Sequence, residues 1–359
     1  MQELRAEFPL LERVAYLNAG TNGPVPACAV EAAKASLARQ AASGRAGGEF
    51  FDSLLAGHDR LRGHAAALLG CEVGEVALTQ STTAGVNAVL GALELGAGDE
   101  VLTSDEEHPG LLAPLAALGR RRGVELRVVP FGELGAAVGP RTRLVACSHV
   151  SWVTGQVVDA SGLAAAGVPV LLDGAQGMGA VPVDVRKLGC DFYAASGQKW
   201  LCGPNGLGYL YVRAERAREL VPGSSSYGAL EEPARALELP LHDDARRFET
   251  GLLAPHDLAW AEAAHELFAG VGWQAVHERG AALADGLARA LAEAGLTVAG
   301  RGRSTLVSWE VEDPPGAVER LLGEGVVVRA LPGRQYVRAS VGGWTSEAEL
   351  ERLLSLAAA

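Results

Sequence analysis

From residue 75 onward, short apolar runs alternate with stretches whose apolar positions recur at helical spacing. Residues 75–79, 100–103, 124–130, 144–148, 169–173, 191–195 and 207–212 read as strands, with helices at 83–95 and 111–122 between the first of them. Strands apolar along their whole length are expected where both faces of a sheet are covered. The alternation predicts an α/β fold with a mostly parallel, seven-stranded sheet. Ligands bind such sheets in the crevice at the C-terminal ends of the strands.

The pattern changes after Pro222. Gly223-Ser224-Ser225-Ser226-Tyr227-Gly228 is turn-rich, and residues 256–294 return to helical spacing with a break at Gly270-Val271-Gly272. Short strands at 305–311, 326–329 and 336–341 surround a helix at 316–322, and a last helix over 346–356 begins at a capping Thr345 or Ser346. We expect a large domain over 15–255 and a smaller α+β domain over 256–359, joined by residues 1–14. A length of 359 residues suits two lobes.

Composition narrows the partners. The chain is 48% apolar and 21% charged, as expected for a globular protein with a large core. Its net charge of −12 argues against nucleic acid, which needs a basic surface, but a few local Arg or Lys residues still suffice for a small anion. The N-terminus lacks the apolar core of a signal peptide, and no apolar stretch of membrane-spanning length is free of charge, proline or glycine clusters. Cys28, Cys71, Cys147, Cys190 and Cys202 are scattered without metal-like pairing, so we expect reduced thiols, a cytoplasmic location and no metal.

The chemistry lies at the strand ends. One strand closes on Asp173, and another runs through Ser196-Gly197-Gln198 to Lys199. Pyridoxal 5′-phosphate (PLP) needs both: a lysine amine for its aldehyde and a carboxylate for its pyridinium nitrogen. Its phosphate needs backbone donors at a helix N-terminus and hydroxyls, which Gln80-Ser81-Thr82-Thr83-Ala84-Gly85 offers between a strand and a helix. His108, between the next strand and helix, is placed to stack on the ring. Each residue alone reads as an ordinary turn, cap or surface group, and their succession along the strand ends carries the assignment.

These residues resemble a family. Asp173-Gly174-Ala175-Gln176, Ser196-Gly197-Gln198-Lys199-Trp200 and Gly203-Pro204-Asn205-Gly206-Leu207-Gly208 are similar to motifs of the class V aminotransferases. This is the fold-type-I PLP group of cysteine desulfurases, selenocysteine lyases, isopenicillin N epimerase-like proteins and kynureninases. The likeness runs from Tyr16-Leu17-Asn18-Ala19-Gly20 to Val337-Arg338-Ala339-Ser340-Val341. It implies Lys199 as the Schiff-base lysine, Asp173 as the pyridinium partner and His108 on the ring, together the catalytic group. It also implies Gln176 on the cofactor's phenolic oxygen, a phosphate cup of Thr82, Thr83 and Ser196, and Arg338 clamping the substrate α-carboxylate. A homodimer is implied in the same way.

Departures from the family bear on the reaction. Gln198 stands where histidine is common, and it still donates to a phosphate without carrying charge. Ser148-His149-Val150-Ser151 runs into Trp152, where desulfurases often have asparagine, and Val153-Thr154-Gly155-Gln156 looks closer to epimerase-like and kynureninase-like members. In Arg247-Phe248-Glu249-Thr250-Gly251-Leu252-Leu253, the two leucines replace a threonine-proline pair that reaches the partner subunit's phosphate in the family. Desulfurases carry a persulfide-forming cysteine on a loop shortly after an arginine like Arg329. Here Ala330-Leu331-Pro332-Gly333-Arg334-Gln335-Tyr336 has none, and no cysteine follows Cys202.

The expected activity is therefore a C–S β-elimination on a cysteine-type L-amino acid, with Lys199 as general base and no persulfide cysteine. The alternative is transamination or epimerisation of a specialised amino acid. A non-PLP α/β binding protein or dehydrogenase is a third reading, although Gly174-Ala175-Gln176-Gly177-Met178-Gly179 does not follow the dinucleotide order.

Overall fold

The structure, a computed structural model, describes residues 1–358. Strand β1 (Ala15–Tyr16) precedes the main sheet. That sheet is built from β2 (Val76–Thr79), β3 (Glu100–Ser104), β4 (Glu125–Val129), β5 (Thr142–Ser148), β6 (Val170–Asp173), β7 (Phe192–Ser196) and β8 (Gly208–Val212). Its order is β2-β8-β7-β6-β5-β3-β4. The pairs from β4 through β7 are parallel, and β8 runs antiparallel to both β7 and β2. Strand β2 therefore points the same way as β7. The C-terminal ends of β2, β3, β5, β6 and β7 share one edge.

Period-two alternation explains the continuous apolar runs. In β6, Val170 and Leu172 enter one core while Leu171 enters the other. In β7, Tyr193 and Ala195 take the first core and Phe192 and Ala194 the second. Helices Gly48–Leu69 and Pro255–Val271 close the first core through Leu61, Ala65, Leu258 and Phe268. Helices Thr82–Ala92 and Pro109–Arg122 close the second through Val86, Val89, Leu111 and Leu115. A polar side chain on either face of the inner strands would lose its water; the edge strand β4 exposes Glu125, Arg127 and Val128.

Two long helices, Ala27–Ser43 and Gly48–Leu69, precede the sheet in a region where the sequence pattern predicts no element. The first buries only Ala29 and Ser36, so its apolar positions trace no stripe along one face.

Strands β9 (Leu306–Glu310), β11 (Arg329–Ala330) and β12 (Tyr336–Ser340) form an antiparallel sheet in the order β11-β12-β9, and β10 (Val326–Val327) pairs in parallel with β1. Helices Trp273–Glu293, Pro314–Gly323 and Glu347–Ala357 supply Leu287, Leu321 and Leu353 to a third core, which also takes Ala15 and Leu17. The last helix starts at Ser346. Its hydroxyl accepts from Glu349 N while the Glu349 carboxylate accepts from Ser346 N, a reciprocal cap. After β1 the chain crosses to β12, where Ser340 N donates to Leu17 O at 2.8 Å. This crossing carries Gly20–Asn22 toward the sheet edge.

Candidate active site

A cavity of about 360 Å³ opens at the edge where the strand ends converge. All nine residues singled out in the sequence line it: Thr82, Thr83, His108, Asp173, Gln176, Ser196, Gln198, Lys199 and Arg338. The topology explains the convergence, since each belongs to or follows a strand end, and Arg338 enters from β12 opposite.

Lys199 follows β7 in a turn whose backbone is fixed on every side. Gly197 N donates to Leu207 O at 2.9 Å, Cys202 N to Lys199 O at 3.1 Å, and Gly23 N to Gln198 O at 2.7 Å. Gly23 has no room for a side chain, because a Cβ would lie 2.2 Å from Lys199 O. Burial lowers the Lys199 amine to about 8; repulsion from Arg338 and Arg329 adds to this, and Asp173 opposes it. About a tenth of the amine is thus neutral at pH 7, far more than for an ordinary lysine, as a nucleophile requires.

Asp173 ends β6 and is buried. One oxygen accepts from Ala175 N at 2.9 Å, and no salt bridge reaches it among the described residues. Burial raises its pKa while Lys199 pulls the other way. Beneath it lies a second buried carboxyl, Glu107, which accepts from Ser148 N at 2.9 Å and from the Ser104 and Ser148 hydroxyls at 2.5 Å each; burial raises it to about 7.

His108 caps the helix Pro109–Arg122, its Nδ1 accepting from Gly110 N at 2.9 Å, and stands edge-on to Trp152 with centroids 4.9 Å apart. Burial, with repulsion from Lys199, lowers it to about 4, so the imidazole is neutral near pH 7. Gln176 is fixed at both ends: Nε2 donates to Gly20 O at 2.8 Å and Oε1 accepts from Trp200 Nε1 at 2.9 Å. The Arg338 side chain is buried, with Nη1 donating to Trp152 O at 2.7 Å and Nε left without a partner.

The unpaired atoms test whether a phosphorylated cofactor fits. Buried hydroxyls are normally hydrogen-bonded. Those of Thr82 and Ser196 are buried and unpaired, at the N-terminus of helix Thr82–Ala92 and the end of β7. Unpaired hydroxyls beside free helix amides suit a phosphate, and an unpaired buried carboxylate suits a pyridinium cation. The residues fit PLP.

Sequence reasoning left Arg329, Trp152, Thr21, Asn22 and Asn205 out of the site, yet all line the cavity. Arg329 stands directly opposite Arg338 in the β11–β12 pairing, a register that only strand pairing reveals. Cys202, three residues after Lys199, is buried, and burial raises its thiol well above the usual range, so it is a packing residue with no thiolate to offer.

A mostly parallel α/β sheet with a lysine and an aspartate at adjacent strand ends and a hydroxyl cup defines a PLP-dependent enzyme of fold type I. The chain belongs to the aminotransferase class-V family, whose model matches residues 15–353. It is 36% identical over 251 residues to isopenicillin N epimerase of Streptomyces clavuligerus, a match covering 65% of this chain and 61% of that protein. It is 37% identical over 246 residues to cysteine desulfurase of Klebsiella pneumoniae, covering 62% and 60%. The matched region thus spans about three fifths of these curated relatives. Among solved structures, a cystine C–S lyase in complex with its reaction product cysteine persulfide superposes with a TM-score of 0.92 at 28% identity, over 98% of this chain and 99% of that one. A variant of that lyase, with glycine covalently linked to its PLP cofactor, gives 0.93 at 28% identity over 99% and 98%. The protein is a PLP-dependent enzyme, which sets aside the dehydrogenase and binding-protein reading.

Proposed function

We propose that the protein is a C–S lyase that eliminates the sulfur substituent of a cysteine-type L-amino acid. The observation that carries this reading is the loop after β11. It is a tight hairpin, with Leu331 N donating to Tyr336 O at 3.0 Å, and it has no cysteine to receive sulfur. Arg338 holds the α-carboxylate through its guanidinium fork. Lys199 would hold the cofactor's aldehyde, and its amine is placed to remove the Cα proton as general base. Bound PLP supplies an electron sink for the charge left at Cα. Asp173 would keep the ring nitrogen protonated, and Thr82, Thr83, Ser196 and Gln198 would hold the phosphate. His108, neutral, would cover the ring face, and the remaining N–H of Gln176 would serve the phenolic oxygen. The Cβ–S bond breaks, the sulfur leaves with its electron pair and takes up the proton that Lys199 removed, and hydrolysis of the three-carbon remainder gives pyruvate and ammonia.

Purified protein is expected to be yellow and to release pyruvate from cysteine thioethers and disulfides. Lys199→Ala abolishes turnover. No pyruvate across a broad panel of such substrates overturns the lyase reading.

Transamination or epimerisation is the second reading, favoured by the epimerase relative and by Trp152 in place of asparagine. Conversion of the cofactor to its amine form points to transamination, and Cα deuterium exchange with racemisation to epimerisation. We further propose a cytoplasmic homodimer, in which the exposed Phe51, Leu55 and Leu252 meet the second subunit. Light scattering giving a monomer mass overturns the dimer.

A further inference from the structure

Two buried carboxyls stand on one wall of the site, and the mechanism uses only Asp173. Asp173, at the end of β6, is 5% exposed, and Glu107, just before the helix Pro109–Arg122, is 4% exposed. Ser148 joins them. It ends β5 level with Asp173 in the β5–β6 pairing. Ala146 and Leu171, two residues earlier on each strand, both enter the second core, so the side chains of Ser148 and Asp173 project to that same side. The Ser148 hydroxyl and backbone N–H both donate to Glu107 Oε2, and the Ser104 hydroxyl donates to Oε1. All three donors are neutral serine groups. The titratable groups beside Glu107 bring no positive charge either. Asp173 on β6 is a second acid, and burial raises the Cys147 thiol on β5 well above its ordinary range. His108 and His149, which follow Glu107 and Ser148 in the chain, are held near 4 by burial and so are neutral. Lys199 acts on Asp173. Glu107 is thus a buried carboxyl given three donors and no countercharge of its own among the described residues.

We propose that Glu107 is a positioning residue for the cofactor's ring: held behind Asp173 by Ser104 and Ser148, its carboxylate makes the pair, rather than Asp173 alone, fix the proton on the ring nitrogen. The proposal rests on the reading of Asp173 as the partner of that nitrogen. A second negative charge on the wall raises the cost of leaving Asp173 without a cation, which favours a protonated ring over a neutral one. The support is mutual. Burial, and after it the charge of Asp173, push Glu107 up to about 7, and a cationic ring against Asp173 offsets the second of these. The serine cage also accepts an amide. In Glu107→Gln the amide oxygen accepts from Ser148 while the NH2 donates to the Ser104 hydroxyl oxygen, so the charge is removed and the shape kept.

Two cofactors that differ only at the ring nitrogen test this. PLP and its 1-deaza analogue, in which carbon replaces that nitrogen, are titrated into the full chain freed of cofactor, with absorbance giving an apparent Kd for each. The wild-type protein is expected to prefer PLP. Glu107→Gln is expected to lower that preference on the order of tenfold, the effect of one pKa unit at the ring, while leaving the affinity for the 1-deaza analogue in place. A residue that merely braces the strand ends would weaken both cofactors alike. An unchanged preference in Glu107→Gln therefore overturns the proposal, whether both affinities fall together or neither moves. Ser148→Ala, which removes one donor from Glu107 and leaves its carboxyl in place, repeats the test should Glu107→Gln fail to fold; it is expected to lower the preference by a smaller factor, and an unchanged preference counts against the proposal in the same way. Asp173→Asn is measured in parallel. A preference lost there but intact in Glu107→Gln removes this proposal alone, and a preference intact in both removes the reading of Asp173 as well.

Discussion

At the residue scale, the site is a set of groups forced away from their behaviour in water. Lys199 is brought to about 8 from its ordinary 10.5, chiefly by burial. Only the neutral amine attacks an aldehyde, so uptake of PLP by cofactor-free protein is expected to rise with pH to a plateau just above 8. Below that it falls roughly tenfold per pH unit, where an unperturbed lysine would still be climbing toward 10.5. Stopped-flow absorbance across pH 6–10 measures it, and a profile that climbs past 10 contradicts the assignment. The stability sign follows from the same depression. Between about 8 and 10.5 the unfolded chain holds the proton and the native state does not, so Lys199 contributes stability to the cofactor-free protein that grows as pH rises through that window. His108, held near 4, contributes no charge change over the working range.

At the element scale, the strand ends and the β1–β12 crossing set the distances. Gly20 lies where three site groups meet: a Cβ there would sit 2.7 Å from Ser340 Oγ and 2.9 Å from both Arg338 Nη2 and Gln176 Oε1. Gly20→Ala must push the arginine or the glutamine aside. The expected result is a fall in kcat/KM on the order of 10- to 100-fold, since small displacements of positioning groups are costly. Circular dichroism should still report a folded protein. Wild-type kinetics in this variant would mean that the arginine moves freely, against its role as a fixed clamp.

At the scale of the whole molecule, one buried ion pair ties the segment preceding Pro255 to the sheet. Arg62 on helix Gly48–Leu69 meets Glu249 with two bonds of 2.8 Å, and Glu249 also accepts from Leu78 N of β2 at 2.9 Å. Both side chains are buried. Removing one partner strands a buried charge, so Arg62→Ala is expected to cost about 3–5 kcal/mol of stability. Denaturant melts measure it, and a change near zero would mean that water reaches Glu249 in the variant. The same segment runs on through Thr250, whose hydroxyl donates to Gln80 beside the phosphate cup at 3.2 Å. Loosening it is therefore expected to weaken cofactor retention as well as stability.

Much of this was legible along the chain. The inner strands announce themselves because both faces are buried and most positions are apolar, as Val170-Leu171-Leu172 shows, while the edge strand β4 exposes Glu125 and Arg127. Lys199, Asp173 and the hydroxyls of Thr82 and Thr83 stand out because a strand end followed by small or polar residues is where a parallel sheet opens to ligand. Helix Ala27–Ser43 was hidden because it buries almost nothing, and burial is what writes a periodic stripe. Arg329 was hidden for another reason. Its partner lies nine residues away across a hairpin, and facing is a property of strand register that local pattern does not specify. The sequence by itself thus determined the fold class, the cofactor and the strand-end residues, because burial and local turn chemistry leave their mark on neighbouring positions. Only the tertiary structure decided that Arg329 and Arg338, bonded to the neutral Thr21 hydroxyl and Trp152 carbonyl, line one cleft, because charge balance in a cleft depends on which distant segments meet there.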